Sequence, residues 1–534
     1  MPLFGSLYIG ASGLQTSQNT LNTTAHNMAN TDTKGYTRQQ ILLGTRSYIN
    51  LSTSASAISY QQYGLGVFYS QTRQVRDVFL DETFRKESGR LSFYETNTKV
   101  IEEMGDLFGE FQGVEFSESL TNLWKIMEDL YEDPCELTNQ NMFISRCDQF
   151  LTRASLVYQG LCEQQDNLNK QVENMVEQIN AYGEELVAIN KQIMRLETGE
   201  TEHANDLRDR RNLILDELSK LGQIRYEEDF NGVVSVKFEG VDFVTSDLVN
   251  RVELYTDEET GFHTPYWRQL ANYKVNNRGE RELDLDAARL YNPTQKISTT
   301  MNTDIGSMRA ALLARGEKRA TYKDLENETT YNKDISQSLL MNVQAEFDRL
   351  VHYVATTIND VLEQAALSEP DTNYLKDADG NPYRMFELVS DDPEMGFSIR
   401  NMIVNEELKR EPGNLSFRLK DDSEDKQAIR KMLDAFESET YMLNPNLQTK
   451  TNIRRYYDAL INQISNTGEM NKDFQAGQEA TINETFSARE QVLGVSSDEE
   501  MEFMIKFQNA YNASSRYINV IDEMIEHIIN TLGR

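Results

Sequence analysis

The side chains that could carry out catalytic or metal chemistry are few in this sequence and far apart. Its five histidines stand at distant positions: His26, His203, His263, His352 and His527. The loop DADGNP at residues 377–382 has acidic spacing like that of a calcium loop, but Pro382 stands where such a loop needs glycine. Neither a phosphate-binding GxxxxGKS or GxxxxGKT loop nor a nucleophile elbow occurs. The residues therefore give no support to catalysis, and we expect no cofactor and no bound metal.

A different chemistry, hydrogen bonding to another protein, is indicated by residues 26–40, HNMANTDTKGYTRQQ. This stretch is too polar for a core and too weakly charged for a solvated tail. Asparagine is typical of helix ends, glycine can adopt a positive φ at a turn, and tyrosine, arginine and glutamine offer hydrogen bonds and stacking. The residues that we expect to form a joint between subunits are Asn27, Asn30, Gly35, Tyr36, Arg38 and Gln39. We predict that the stretch is frayed in a monomer; the alternative is a plain loop between helices.

Two amphipathic helices at the ends of the chain must position this stretch. Apolar residues near the N-terminus recur in the 3.5-residue period of a coiled-coil seam, with Leu7, Leu14, Leu21 and Met28 as its main members. A second seam near the C-terminus consists of Met504, Phe507, Tyr511, Ile518, Ile521, Ile525, Ile528 and Leu532. Ser497 followed by Glu500 predicts a capping box at the start of that second helix.

The first of these helices should be stable only when its seam is covered. Outside the seam it consists largely of Ser, Thr, Asn and Gln, which are poor helix formers. Each fully buried Ile or Leu contributes about 1.5–3 kcal/mol, so the two seams together favour association strongly. We expect them to be covered by other copies of the chain; the alternative is that both seams close within one monomer.

The interior of the chain is mainly helical with β-rich segments inserted. A heptad pattern runs over residues 144–196, and a second helix over 205–222 should fold back along it. Residues 224–247 alternate with period two around an Asn231-Gly232 hairpin turn. Helical patterns return at 304–317 and at three further places: 332–367, 452–465 and 481–494. The predicted fold class is mainly α with a β-rich insertion.

Composition narrows the choice of partners and of cellular location. Lys and Arg number 53 and Asp and Glu 86, so the net charge is −33, and both nucleic acid and anionic membranes are disfavoured. The three cysteines, Cys135, Cys147 and Cys162, match no zinc spacing and read as buried or idle thiols. The first fifteen residues do not form a cleavable secretory signal. We therefore expect a cytoplasmic protein, or one exported by a route that leaves its signal in place.

The two ends of the chain resemble the terminal motifs of bacterial flagellar axial proteins, the family of rod, hook and hook-associated proteins. The resemblance lies in ASGLQTSQNTLNTTAHNMANTDTKGYTRQQ (11–40) and in MEFMIKFQNAYNASSRYINVIDEMIEHIINTLG (501–533). His26 stands where the family often has Asn. Within the family, residues 64–87 and NDLRDRRNLILDEL (205–218) are similar to hook-associated members that form the first ring of the hook–filament junction.

This resemblance implies a domain organisation. Residues 1–35 and 500–534 would pair as a coiled-coil-like inner-tube domain built from many subunits. The helical-bundle rod domain would comprise residues 36–225, 303–367 and 427–499. The β-rich insertion, residues 226–302 and 368–426, would form an outer domain.

The resemblance also implies a function without catalysis. The chain would be a structural adaptor in a ring at the hook–filament junction, joining hook to filament through its terminal helices. Its partners would be the hook subunit below, the second junction protein above, copies of itself in the ring, and an export chaperone on the C-terminal helix. It would reach the extracellular flagellum through the flagellar type III apparatus with an uncleaved signal. The alternatives are the hook subunit, the third hook-associated protein, and a cell-wall hydrolase with flagellar-type ends.

Overall fold

The structure, a computed structural model, describes residues 2–47, 49–50, 62–108, 116–198, 203–275, 281–285, 287–368, 375–377, 379–393 and 395–532. In chain order its α-helices are α1 (Pro2–Ala29), α2 (Val78–Phe108), α3 (Phe116–Glu132), α4 (Leu137–Glu197), α5 (Asn205–Leu221), α6 (Ser307–Arg315), α7 (Glu328–Thr330), α8 (Leu339–Ser368), α9 (Glu406–Arg410), α10 (Lys426–Glu437), α11 (Ile453–Leu493) and α12 (Ser497–Leu532). No described helix is both long and apolar enough to cross a lipid bilayer.

The strands are short and form small antiparallel sheets. They are β1 (Gln39–Thr45), β2 (Ile49–Asn50), β3 (Gln62–Tyr63), β4 (Val67–Gln74), β5 (Ile224–Glu228), β6 (Val234–Phe238), β7 (Val241–Val244), β8 (Val252–Thr256), β9 (His263–Trp267), β10 (Asn272–Val275), β11 (Arg281–Asp284), β12 (Phe386–Leu388), β13 (Met402–Val404), β14 (Tyr441–Met442) and β15 (Lys450–Thr451). Strands β5, β6 and β7 make a three-stranded sheet, and the others pair as β1–β4, β2–β3, β8–β9, β10–β11, β12–β13 and β14–β15. The predicted fold class, mainly α with a β-rich insertion, is confirmed.

The long helices follow the apolar periodicity of the sequence closely. Helix α4 runs for 61 residues and contains the whole predicted heptad segment. The predicted hairpin turn lies between β5 and β6, where Gly232 has φ +76°. The two predicted segments at 452–465 and 481–494 belong to one helix, α11, of 41 residues. The sequence signal was interrupted there because much of the middle of α11 is exposed and polar.

The chain divides into two compact units. The first unit comprises Met1–Gly89, Ile179–Arg251 and Glu479–Arg534, and the second comprises Arg90–Gln178 and Val252–Gln478. In the first unit, α1 packs against α12 and also against the β1–β4 pair, whose register runs from Gln39 opposite Gln74 to Thr45 opposite Val67. All the residues of the candidate site described below belong to this first unit.

The second unit is built around one large apolar core. Its buried side chains come mainly from α2, α3, α4, α8, α10 and α11, and the Phe116 ring contacts those of Phe150 and Phe347. Cys147 and Cys162 are buried free thiols, and Cys135 is a partly buried one.

The division into units differs from the domain boundaries expected from the sequence. Residues 226–251 belong to the first unit, where Phe243 contacts α4 at Gly183, whereas 252–302 belong to the second. Segment 368–426, expected in an outer insertion, buries Phe386 and Phe417 in the same core as the helices of the second unit. Strands of only three residues, such as β12 and β13, have too little apolar surface for a core of their own.

Candidate functional site

The candidate site is the region where the two terminal helices meet the chain that leaves α1. We call residues 30–38, between α1 and β1, the junction loop. The loop turns sharply at Gly35, whose φ of +83° confirms the predicted positive φ. Just before it, the Asn30 side chain donates to the His26 carbonyl at 2.9 Å and accepts from the Thr33 hydroxyl at 3.1 Å.

Asn27 is the centre of the hydrogen bonds that hold this loop. Its side chain is 1% exposed. Its Oδ1 accepts from the Tyr36 hydroxyl at 2.7 Å and from the Gln39 backbone N–H at 3.1 Å, while its Nδ2 donates to the Gln39 carbonyl at 2.9 Å. Burial, together with the nearby Asp209 carboxylate, raises the pKa of Tyr36, so its hydroxyl remains a donor. The end of α1 and the start of β1 are therefore fixed to each other.

A carboxylate from α5 supports the other side of the loop. Asp209 accepts from the backbone N–H of Thr37 at 3.3 Å and from Nε2 of Gln74 at 2.8 Å. The Thr37 hydroxyl in turn accepts from Arg76 at 3.3 Å. Burial raises the pKa of Asp209 to about 6, so it is mostly ionised at neutral pH.

Arg38 connects the junction loop to the start of α12. Its Nε lies 2.8 Å from Glu500 and its Nη1 lies 3.0 Å from Glu499, and its guanidinium stands 5.6 Å from the Phe503 ring centroid. The Glu500 side chain is only 3% exposed, so its charge is held in a largely desolvated ion pair. The Arg38 backbone N–H donates to the Leu493 carbonyl at the end of α11.

These contacts correct two predictions. The stretch around Asn27, Tyr36 and Arg38 is not frayed in a single chain, because its polar groups bond to one another and to α5 and α12. The predicted capping box of α12 is also wrong, because the Glu500 carboxylate pairs with Arg38. Instead, the Ser496 hydroxyl accepts from the Glu499 backbone N–H at 3.4 Å.

The N-terminal seam is only half-buried in the structure. Its members Leu7, Leu14, Leu21 and Met28 are all of intermediate exposure. The fully buried face of α1 is polar and consists of Ser12, Thr16, Ser17, Thr20, Thr24 and Asn27. The Thr16 and Thr20 hydroxyls donate to backbone carbonyls one turn earlier, and Ser12 Oγ accepts from Val67 N–H in β4. This face is buried because α12 and the β1–β4 pair both pack on α1.

The C-terminal seam faces α1 along most of its length. Met504, Phe507, Tyr511, Ile518 and Ile525 are half-buried, Ile521 is 2% exposed and Ile528 is 38% exposed. The side chain of Leu532 lies outside the described residues. The two helices approach closely at Gly10, where an added Cβ would lie 2.7 Å from Cγ1 of Ile518. The seams thus meet within one chain but leave much of their apolar surface exposed.

Sequence reasoning missed a buried ion-pair network beneath the junction loop. Arg489 of α11 binds Asp81 at 2.7 Å and Asp216 at 2.8 Å, and Asp216 also accepts from Arg85 at 2.7 Å. Burial acts to raise the pKa of Asp81, but the hydrogen bond from Arg76 and the neighbouring Arg489 lower it. Asp216 lies in the 205–218 motif, and Asp81 and Arg85 lie in the 64–87 segment, so both stretches of family resemblance contribute to this network.

A cleft of about 370 Å³ opens beside Arg38, between α1, β1 and the first turns of α12. Thr20, Gln40, Phe503 and Phe507 are among the residues that line it. Among the described residues, no group of three or more His, Cys, Asp or Glu side chains could hold a metal ion. The arrangement as a whole can bind and orient protein segments, which is the chemistry of an assembly site.

Comparisons with known proteins agree with this reading. The family described as flagellar hook-associated protein FlgK helical domain matches residues 101–373, just over half of the chain. The flagella basal body rod protein family matches residues 7–37, and the C-terminal family of flagellar basal body rod FlgEFG proteins matches residues 492–531. The resemblance of the two chain ends to axial proteins is therefore confirmed.

Individual relatives carry the same description. Flagellar hook-associated protein 1 of Bacillus subtilis (strain 168) is 22% identical over 530 residues, which are 99% of this chain and 98% of that protein. The protein of that name from Salmonella typhimurium is 26% identical over 215 residues, 39% of this chain and 37% of its own length. A solved structure, the flagellar hook junction protein FlgK from Burkholderia pseudomallei, aligns with a TM-score of 0.41 and 16% identity over 57% of this chain and 46% of that one. This chain belongs to the flagellar hook-associated protein family, whose members are structural proteins of the bacterial flagellum.

Proposed function

We propose that this chain assembles as a ring at the hook–filament junction and joins hook to filament through its terminal helices. Its partners are the hook subunit on one side, the second hook-associated protein on the other, and neighbouring copies of itself. The similarity to a hook-associated protein 1 along 99% of the chain supports this assignment. No step of this function requires catalysis.

The observation that carries the proposal is the incomplete burial of the two terminal helices. Tyr517 is 42% exposed, Val520 46% and Met524 51%, although α12 is packed against α1. When one side of a helix is packed and large apolar side chains on another side face water, contact of that side with a further protein surface is favourable. In the ring, the seams and the junction-loop residues together form the inner-tube contact between subunits.

Export precedes assembly in this proposal. The chain travels through the flagellar type III apparatus with its N-terminal signal retained, and a chaperone covers the C-terminal helix beforehand. The exposed apolar side of α12 supports a need for such cover, because it would otherwise favour aggregation in the cytoplasm.

The test measures assembly on isolated hooks. Met524→Asp places a charge at an apolar residue of α12 that is 51% exposed, and Asn519→Asp places the same charge at an exposed polar position of the same helix. We expect Met524→Asp, like deletion of residues 1–35 and 505–534, to abolish binding to hooks, and Asn519→Asp to retain it. Undiminished binding of the deleted chain would refute the proposal.

Complementation separates this function from its alternatives. Expression of the chain should restore filaments in a strain that lacks hook-associated protein 1. If filaments return only in a strain that lacks the hook subunit or the third hook-associated protein, the assignment within the family is wrong.

A further inference from the structure

A second cleft in the first unit has a charge opposite to that of the chain as a whole. It lies between the end of β4, the first turn of α2, α5 and β5, and has a volume of about 290 Å³. We call it the arginine cleft, because Arg73, Arg76, Arg208 and Arg211 line it, against the two carboxylates of Asp81 and Glu228. In the whole chain, acidic residues outnumber basic ones by 86 to 53. The cleft is therefore a local site of attraction for anions.

Most of these arginines are held rigidly. Arg76 makes two hydrogen bonds to Asp81, at 2.9 and 3.0 Å. Arg208 is held by Glu197 at 2.7 Å and by Glu228 at 2.6 Å. Such guanidinium groups lose little conformational entropy when they bind a further oxyanion, because their positions are already fixed.

Two arginines retain unused hydrogen-bonding capacity. Arg211 is 2% exposed; its Nη1 donates to the Gly232 carbonyl and its Nη2 to Glu228, but its Nε has no partner in the part of the chain that the structure describes. Arg73 is exposed, and its Nη2 donates to one neutral acceptor, Gln40 Oε1, at 3.3 Å. The exposed Arg73 guanidinium can therefore bind an incoming carboxylate through charge-assisted hydrogen bonds, while the enclosed Arg211 adds positive charge behind it.

One part of the edge of the cleft is apolar, at Val78, which lines it, and at the adjacent Phe79. Val78 is 61% exposed and Phe79 is 73% exposed, both in the first turn of α2. The cleft and its rim together fit a segment that carries carboxylates beside large apolar side chains. A free anion would use the arginines but leave Val78 and Phe79 in water.

The start of α12 carries carboxylates beside large apolar side chains on its exposed side. Asp498 and Glu502 are exposed one helical turn apart, as are Met501 at 53% and Ile505 at 56% exposure. Their neighbour Glu500 points inward to Arg38, so it does not compete for the cleft.

We propose that the arginine cleft of one copy binds the outer side of the α12 start of a second copy. Carboxylates Asp498 and Glu502 meet the exposed Arg73 at the mouth of the cleft, while Met501 and Ile505 cover Val78 and Phe79. The two surfaces are different parts of one chain, so the contact is head-to-tail, and a head-to-tail contact that closes produces a ring. This inference rests on the proposed ring function and identifies one of its subunit contacts.

Charge reversal on each side tests the contact. Arg73→Glu and Glu502→Arg each place like charges together, and the double variant restores opposite charges. We expect each single variant to bind isolated hooks about fivefold less well, the size of a rim ion pair, and the double variant to return to within about twofold of wild type. Arg225→Glu is the matched control, because Arg225 lies on the face of β5 opposite Tyr226, which lines the cleft. Thermal unfolding of each variant confirms that it is folded.

The possible results distinguish failure of the proposed contact between copies from failure of the proposed ring function. If wild type binds hooks and Arg73→Glu binds as well as the control, or if the double variant binds no better than the single ones, the contact is refuted and the ring function stands. If wild type itself fails to bind hooks, both are refuted. If inorganic phosphate raises the melting temperature of wild type but not of Arg73→Glu, while both assemble equally, the cleft binds free anions only and the contact is again refuted.

Discussion

At the scale of single residues, Asn27 shows how much of the site the sequence could reveal. Its position before a turn and the positive φ of Gly35 were predictable from residue type alone. Its partners, the Tyr36 hydroxyl and the Gln39 backbone, were not, because groups nine or twelve residues away can be reached only after the loop has turned. The same holds for Asp209, which approaches Thr37 across 172 positions of sequence.

Replacement of Asn27 by alanine should release the junction loop. The substitution leaves the Gln39 N–H and carbonyl without their side-chain partners, which costs about 1–3 kcal/mol for a buried group. We expect amide hydrogen exchange in residues 36–40 to become at least about tenfold faster, as measured by mass spectrometry. Asn22→Ala, at an exposed position of the same helix, should leave that exchange unchanged. Equal exchange in both variants would show that Asn27 does not hold the loop.

A buried glutamate in α8 makes the stability of the second unit depend on pH. Glu346 is 0% exposed and accepts from Asn444 and Gln463 at 2.8 Å each. Burial raises the pKa of Glu346 to about 7, above its ordinary value of 4.5. Between these values the folded chain binds a proton that the unfolded chain lacks, so stability from this group is greatest below pH 4.5 and is lost as the pH rises through 7.

Urea unfolding of the second unit at pH 5 and pH 8 measures this effect. We expect the wild-type midpoint to be lower at pH 8, and the difference between the two values to shrink in Glu346→Gln. Burial also raises the pKa of Asp348, to about 6, so this group too makes the fold less stable at higher pH. Only the comparison with Glu346→Gln separates the two contributions. An unchanged pH difference in Glu346→Gln would exclude Glu346 as its source.

At the scale of elements, helix positions were predictable and their buried faces only partly so. The heptads located α1, α4 and α12, although α4 begins at Leu137, before the predicted segment 144–196, because apolar periodicity is a local property. The buried polar face of α1 was missed, since it is created by β4, which returns to the helix from about 55 residues away at Ser12 and Val67. A periodicity based on apolar residues does not reveal a buried threonine whose hydroxyl donates to a carbonyl of its own helix.

The close approach of α1 and α12 predicts opposite effects for two Gly→Ala substitutions. At Gly10 an added Cβ would lie 2.7 Å from Ile518 and 3.2 Å from Tyr517, so α12 must shift. At Gly477 in α11 an added Cβ meets no atom within 4 Å, so the alanine should stabilise that helix by about 0.5–1 kcal/mol.

Hydrogen exchange along the terminal helices measures the first effect. We expect it to be about fivefold faster in Gly10→Ala, corresponding to a loss of about 1 kcal/mol after the gain in helix propensity. Gly477→Ala should leave exchange in α1 and α12 unchanged and slow it in α11. Slower exchange in α1 of Gly10→Ala would mean that the two helices are not tightly packed there.

At the scale of the whole molecule, two short terminal motifs identified the family, whereas the division into units depended on packing across long sequence distances. The expected outer insertion at 368–426 illustrates the difference. The segment was expected in a separate outer domain, but its apolar side chains, Phe386 and Phe417 among them, belong to the helical core. Sequence alone does not say which core a short strand will join.

Truncation of α12 should abolish binding to hooks and leave the second unit folded. Residues 505–534 lie wholly in the first unit, and the core of the second unit, including Phe116, Phe347 and Tyr456, draws on no residue beyond 478. We expect the truncated chain to lose binding to hooks, because α1 loses its partner helix and the exposed side of α12 is gone. The melting transition of the second unit should stay within about 2 °C of wild type, since all its core residues are retained. Loss of that transition together with hook binding would show that the second unit depends on the terminal helices for its fold, and that the effect on assembly is indirect.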